Sequence, residues 1–193
     1  STKYDIDLNN FSYGLKHMPK DKIKILFFAP NRNDAKSYKI FSNLLKETSK
    51  HENVMSIVKT RGKHKVPKNL QGDMYLEDAH WYPHTSMVLI NESDISVTFG
   101  STVTKECVML SKPFINIDMK KFKHLDFLNS KSCVRIEDEK SINYETFVNT
   151  AVEIVRNKSD EEFYRLREKY LFNEDLGNVS RKLLDFCESG VAK

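Results

Sequence analysis

A chain of 193 residues is long enough for one α/β domain and short for two. Its 39% apolar and 11% aromatic content can build a core, which excludes wholesale disorder, and no apolar run approaches the roughly 18 to 20 residues of a membrane span. The net charge of +4 is uneven: from Lys16 to Lys68, 14 Lys and Arg face only Asp21, Asp34, Glu47 and Glu52, whereas from Gln71 onward acids outnumber bases by five. A basic half suits an anionic partner such as a phosphate-bearing small molecule, nucleic acid or a membrane surface; equally, such lysines solvate helix and strand ends.

Residues 1–22 are polar and without a sustained period, which reads as a linker or entry segment ahead of a domain over 23–193. The first five residues lack the basic-then-apolar order of a secretory signal. Cys107, Cys133 and Cys187 form no CxxC pair and leave one odd, which fits a reducing cytoplasm better than a disulfide scaffold.

Lys22 to Ala29 is an apolar, strand-forming run stopped by Pro30, and Asn31 to Asp34 supply a loop and a helix N-cap. Tyr38, Phe41, Leu44 and Leu45 follow at helical spacing. Asn53 to Val58 is a second strand, ending in the basic run Lys59-Thr-Arg61-Gly-Lys63-His64-Lys65. Pro83 to Glu92 reads as a short helix, Asp94 to Phe99 as a strand, and Thr102 to Leu110 as a helix with Val103, Cys107 and Leu110 inward. Strands at Pro113–Ile117 and around Ser132 to Ile136 precede two or three helices, one opened by the capping-box spacing Ser159-Asp-Glu-Glu162 and the last marked by Leu183, Leu184 and Cys187. This alternation predicts an α/β, Rossmann-like parallel sheet with helices on both faces. Ligands of such sheets sit at the carboxyl ends of the strands, which points to the loops beginning at Pro30, Lys59 and Gly100.

With glycine only at 14, 62, 72, 100, 177 and 190, there is no GxGxxG fingerprint and no GxxxxGK[ST] loop, and no GxSxG elbow exists. A dehydrogenase, a kinase and an esterase are disfavoured. The best local signal is Phe99-Gly100-Ser101-Thr102-Val103-Thr104, a strand-to-helix turn. Gly100 would let a ligand approach the backbone, Ser101 and Thr102 would add hydroxyls, and the helix start would favour negative charge; a plain βα turn with Ser101 as a cap is the simpler reading. Glu106 lies one turn beyond Thr102 on the same face, placed to accept from sugar hydroxyls. Arg32, Lys59 and Arg61 each follow a strand and are expected at the same edge, where cations would steady a phosphate leaving group. His80-Trp-Tyr-Pro-His84 spaces two histidines four apart, but Pro83 would break the helix needed to stack them and no third ligand is evident, so no metal is expected. Trp81 and Tyr82 either stack on a base or anchor a loop. Asp118 and Lys120-Lys121-Phe122-Lys123 follow the Pro113–Ile117 strand as an active-site loop or a solvated turn.

Three segments carry a family resemblance. Ile25-Leu-Phe-Phe-Ala-Pro-Asn-Arg32 resembles the ILYAPTWR segment of CDP-glycerol glycerophosphotransferases, the teichoic acid polymerase-like family. Ser93 to Thr102 resembles its SDVLITDYSS segment, and Lys112 to Phe122 its KPILFYTYDLEKY segment. Phe99-Gly100 stands where that family has Asp-Tyr, closer to the TFGST of some capsule-polysaccharide enzymes, and Lys59-Thr-Arg61-Gly62 replaces its basic-His-Pro.

The resemblance implies one half of a GT-B transferase, the C-terminal half that binds the donor nucleotide. Ser101 and Thr102 would then hold the diphosphate, Glu106 the ribose, and Arg32 with Lys59 or Arg61 the leaving nucleotide. It further implies a nucleotide-sugar or CDP-polyol donor as substrate with no cofactor, and an N-terminal acceptor domain of the same enzyme, without which the chain has little activity. The setting would be cytoplasmic synthesis of a surface polysaccharide or teichoic-acid-type polymer, peripheral at the inner membrane. Two rival readings share parts of this pattern: half of a UDP-N-acetylglucosamine 2-epimerase-like enzyme, and a basic anion-binding module without catalysis. No aromatic-basic RNA-binding signature is present, so nucleic acid is not an expected partner.

Overall fold

A computed structural model of the protein describes residues 18–60, 72–76, 83–122 and 130–170. The first apolar run forms β1 (Ile23–Phe28), followed by α1 (Ala35–Thr48). Asp34 caps α1, its carboxylate accepting from the Ser37 amide at 3.2 Å and so satisfying a donor that has no intrahelical partner. Next come β2 (Val54–Lys59), the short β3 (Met74–Leu76) and α2 (Pro83–Glu92). Pro83 opens α2, over the range the sequence predicts, because the first helical position needs no N–H. Then follow β4 (Ile95–Thr98), α3 (Val103–Met109), β5 (Phe114–Ile117), β6 (Cys133–Ile136), a 3-10 turn (Glu139–Ser141), α4 (Phe147–Arg156) and α5 (Asp160–Tyr170).

The strands form one sheet in the order β3-β2-β1-β4-β5-β6, and every pairing is parallel. A parallel sheet is covered on both sides, so its strands must be apolar on both sides. Ile25, Leu26 and Phe27 are accordingly all fully buried. Ile25 and Phe27 pack toward α1 and α4, while Leu26 and Phe28 pack toward α2, α3 and α5. Each fully buried side chain of this size contributes about 1.5–3 kcal/mol relative to exposure. Met18, from the stretch read as a linker, is buried in the second of these clusters.

Several local expectations change. On α1 the inward face includes Ser37 and Ile40 beside Phe41, Leu44 and Leu45, and Tyr38 is only half-buried at its edge. On α3 the buried residues are Thr104, Cys107 and Val108, with Val103 and Leu110 at the margin. The hydroxyl of Ser159 does accept from the Glu162 amide at 3.3 Å, but the Ser159 amide donates to Ser132 Oγ at 3.3 Å instead of to Glu162. A tertiary partner has replaced the reciprocal half of the capping box. Strand β3 had no counterpart in the sequence reading. It is pinned beside β2 by Asp73, whose carboxylate accepts from the Ser56 amide at 2.7 Å and hydroxyl at 2.8 Å. The helix expected around Leu183, Leu184 and Cys187 lies outside the described residues.

Candidate functional site

The chain leaves β1 toward β2 and β3, and leaves β4 the opposite way toward β5 and β6, so the order reverses between β1 and β4. A crevice opens at such a switch point beyond the carboxyl ends of the strands. Three loops meet there, those following β1, β4 and β5, around a cleft of about 160 Å³ whose walls include Pro30, Asp34, Gly100, Asp118, Lys120 and Phe122. Gly100 is thus where the sequence placed it.

The Gly100 turn itself differs from expectation. Gly100 has φ +54, a conformation that L side chains rarely adopt. A β-carbon there would stand 3.0 Å from Phe122 Cε2 and 3.2 Å from Asp118 Oδ1. The close approach that glycine permits is therefore made by the protein's own β5 loop rather than left open to a ligand. Ser101 Oγ accepts from the Val103 amide at 3.4 Å, Ser101 O from the Thr104 amide at 3.4 Å, and Thr102 makes no side-chain cap. Amides expected to face an anion are partly engaged inside the turn. Both the Gly100 amide, at 3.1 Å, and the Thr98 hydroxyl, at 2.9 Å, donate to Asn116 Oδ1, which ties β4 to β5; the Asn116 amide nitrogen is buried with no hydrogen-bond partner.

Glu106 and Lys59 lie near enough for their charges to act on each other, but neither lines the cleft. Lys59 ends β2 opposite Phe28 and is only 9% exposed. Glu106 is half-buried, and its Oε2 is buried with no hydrogen-bond partner. Burial pushes the Glu106 carboxyl above its ordinary value and the Lys59 ammonium draws it back down. An acceptor buried without a donor costs free energy unless something supplies one. Arg32 is exposed on the loop after β1, where burial raises the Tyr38 hydroxyl and the Arg32 guanidinium opposes that rise. Arg61, with His64, His80, Trp81 and Tyr82, lies outside the described residues.

The remaining structure of the crevice comes from the β5 loop. Asp118, its side chain fully buried, accepts through Oδ2 from Arg135 Nη2 at 2.9 Å and from the Phe122 amide at 2.9 Å. The same Arg135 Nη2 donates to Phe122 O at 3.3 Å and pairs with Glu137 at 3.0 Å. Lys120 reaches across the cleft to Asp34 at 3.1 Å. For Asp34, burial would raise the carboxyl, but the Ser37 amide and hydroxyl and Lys120 outweigh it and hold the group below its usual value. Asn116 and Arg135 had not been singled out in the sequence, although a polar Asn inside the apolar strand Phe114-Ile-Asn-Ile117 is the signal that marks the first. Among the described residues, no three His, Cys, Asp or Glu side chains converge on a point that could hold a metal, and no helix is long and apolar enough to cross a membrane.

No family model and no curated protein sequence matches the chain. Solved structures do match. The spinosyn rhamnosyltransferase SpnG complexed with thymidine diphosphate superimposes with a TM-score of 0.61 at 9% identity, over 80% of this chain and 43% of that one. The spinosyn forosaminyltransferase SpnP gives 0.61 at 11% identity, over 90% and 45%. The wall teichoic acid polymerase TagF with CDPG gives 0.55 at 15% identity, over 95% and 46%. The α/β, Rossmann-like sheet of this chain matches one half of the GT-B fold of these proteins. At these identities the likeness is one of fold, and this chain spans less than half the length of each of these proteins.

Proposed function

We propose that this chain is the donor-nucleotide-binding half of a GT-B transferase, either a glycosyltransferase or a glycerophosphotransferase, that builds a surface polysaccharide or teichoic-acid-type polymer. The observation that carries this reading is Glu106, on the helix that follows the Gly100 turn and within reach of the Lys59 charge. Glu106 presents a buried carboxylate oxygen with no donor of its own, and a ribose hydroxyl would supply one. Lys59, with Arg32 and Arg61, brings positive charge to the phosphates, and Ser101 and Thr102 offer hydroxyls beside them. Because Phe122 covers the α-carbon of Gly100, the phosphates contact Ser101 and Thr102 rather than the glycine itself.

In the complete enzyme an acceptor hydroxyl attacks the transferred group. The new bond forms at the sugar carbon or the glycerol-bearing phosphorus, the bond to the nucleotide phosphate breaks, and the electron pair leaves on that phosphate. Lys59 and the neighbouring cations stabilise the charge that develops there, worth most in a water-poor crevice. The acceptor and its base belong to a second, N-terminal domain in this scheme, and the enzyme works in the cytoplasm at the inner membrane surface, with the nucleotide donor as substrate and no cofactor. The test is nucleoside diphosphate affinity of the chain against that of Glu106→Ala. An affinity loss of about tenfold, as for a charged hydrogen bond removed, supports the reading; equal affinities contradict it.

A further inference from the structure

The β5 loop holds a cation that the crevice has not otherwise used. We propose that Lys120 is an anion-binding residue of the cleft, held in reserve by Asp34 until a phosphate-bearing ligand draws it away. The inference rests on the reading of this crevice as a phosphate-ligand site and adds a residue to it.

Three observations carry it. First, Lys120 stands on a fixed platform. The Asp118 amide donates to Ile136 O at 2.8 Å, the Lys121 amide to Asp118 O at 3.1 Å, and the Phe122 amide to Asp118 Oδ2 at 2.9 Å. Arg135 clasps both Asp118 and the Phe122 carbonyl, and the Phe122 ring lies against Gly100. The turn is held on both sides of residue 120, so the side chain is what moves. Second, Lys120 lines the cleft together with Asp34, which comes from the opposite wall on the loop after β1. Third, the tie between them is of the exchangeable kind. At 3.1 Å the pair is well formed, but the Lys120 side chain is 59% exposed. Exposed pairs of this sort contribute little, and an ammonium gains more from a multiply charged phosphate than from one carboxylate. Release strands nothing, because Asp34 keeps the Ser37 amide that it accepts as the cap of α1.

The two partners of this pair then have opposite effects on binding. Lys120→Met removes the contact. Asp34→Asn removes the competitor while retaining a good cap for α1. The experiment is calorimetric titration of the chain with inorganic pyrophosphate and with CDP, for the wild type and both variants, with Tm recorded for each. The expected result is an affinity about two- to fivefold weaker for Lys120→Met and stronger by a similar factor for Asp34→Asn. Unchanged affinities, or weakening in both variants, overturn the assignment, since a purely structural pair would lower both Tm values and leave binding alone. CDP binding that falls with Glu106→Ala but ignores both variants overturns Lys120 and leaves the nucleotide site standing. No binding of either ligand to the wild type overturns both.

Discussion

The Phe122 ring occupies the space that any side chain at residue 100 would need: a β-carbon on Gly100 would come to 3.0 Å from Phe122 Cε2. Two loops that are distant in sequence are thereby locked at the one point where β4 hands over to α3. The left-handed backbone at Gly100, φ +54, completes the requirement for glycine.

Gly100→Ala therefore suffers from both conformation and contact. The expected loss is about 1–3 kcal/mol in urea unfolding. Adding Phe122→Ala to it relieves only the contact, so the double variant is expected to lose less than the sum of the two single losses. Strict additivity would show that the ring is not what Gly100 accommodates.

The Asp118–Arg135 pair predicts an asymmetry. Arg135→Met leaves a fully buried carboxylate with only the Phe122 amide, whereas Asp118→Asn leaves Arg135 with Glu137 and the Phe122 carbonyl. Breaking a buried pair from the side that strands a charge costs about 3–5 kcal/mol. Chemical unfolding is expected to find Arg135→Met clearly more damaging than Asp118→Asn; equal losses would contradict this division of partners.

Glu106 gives a pH dependence whose sign follows from its environment. Burial raises its carboxyl, with Lys59 opposing, so the folded protein holds that proton more tightly than the unfolded chain does. The stability linked to it is present below the ordinary glutamate value of about 4.3 and is lost as pH rises through the folded value. Glu106→Gln, which resembles the protonated form, should match the wild type toward pH 4 and exceed it at pH 7. The gain is small because the group is half-exposed, about 1 °C in Tm. The same variant is expected to bind nucleotide more weakly. A side chain that lowers stability while supporting binding is the mark of a functional site; a Tm that falls at pH 7 would contradict the assignment.

What was legible in the sequence was whatever depends on short range. Ile25, Leu26 and Phe27 announce a strand buried on both sides, and Asp34 announces a cap. What was not legible depends on register. Arg135 meets Asp118 because β5 and β6 align Asn116 with Arg135, which a single chain pattern does not encode. Strand β3 is three residues long, too short for an alternation to declare itself, and is positioned by Asp73 reaching Ser56 across 17 residues. Gly100 reads as room for a ligand, but the room is taken by Phe122, and the buried acceptor of Glu106 is the stronger indication of a site.

Nucleotide binding by this chain is tested most directly by calorimetric titration with CDP, UDP, CMP and GDP at two salt concentrations, beside Glu106→Ala. Saturable binding of one nucleotide is expected, modest in its salt dependence and weakened by the substitution. Indifference to all four nucleotides, with binding of anionic polymers that falls steeply with salt and ignores Glu106, would contradict it and favour a basic anion-binding module.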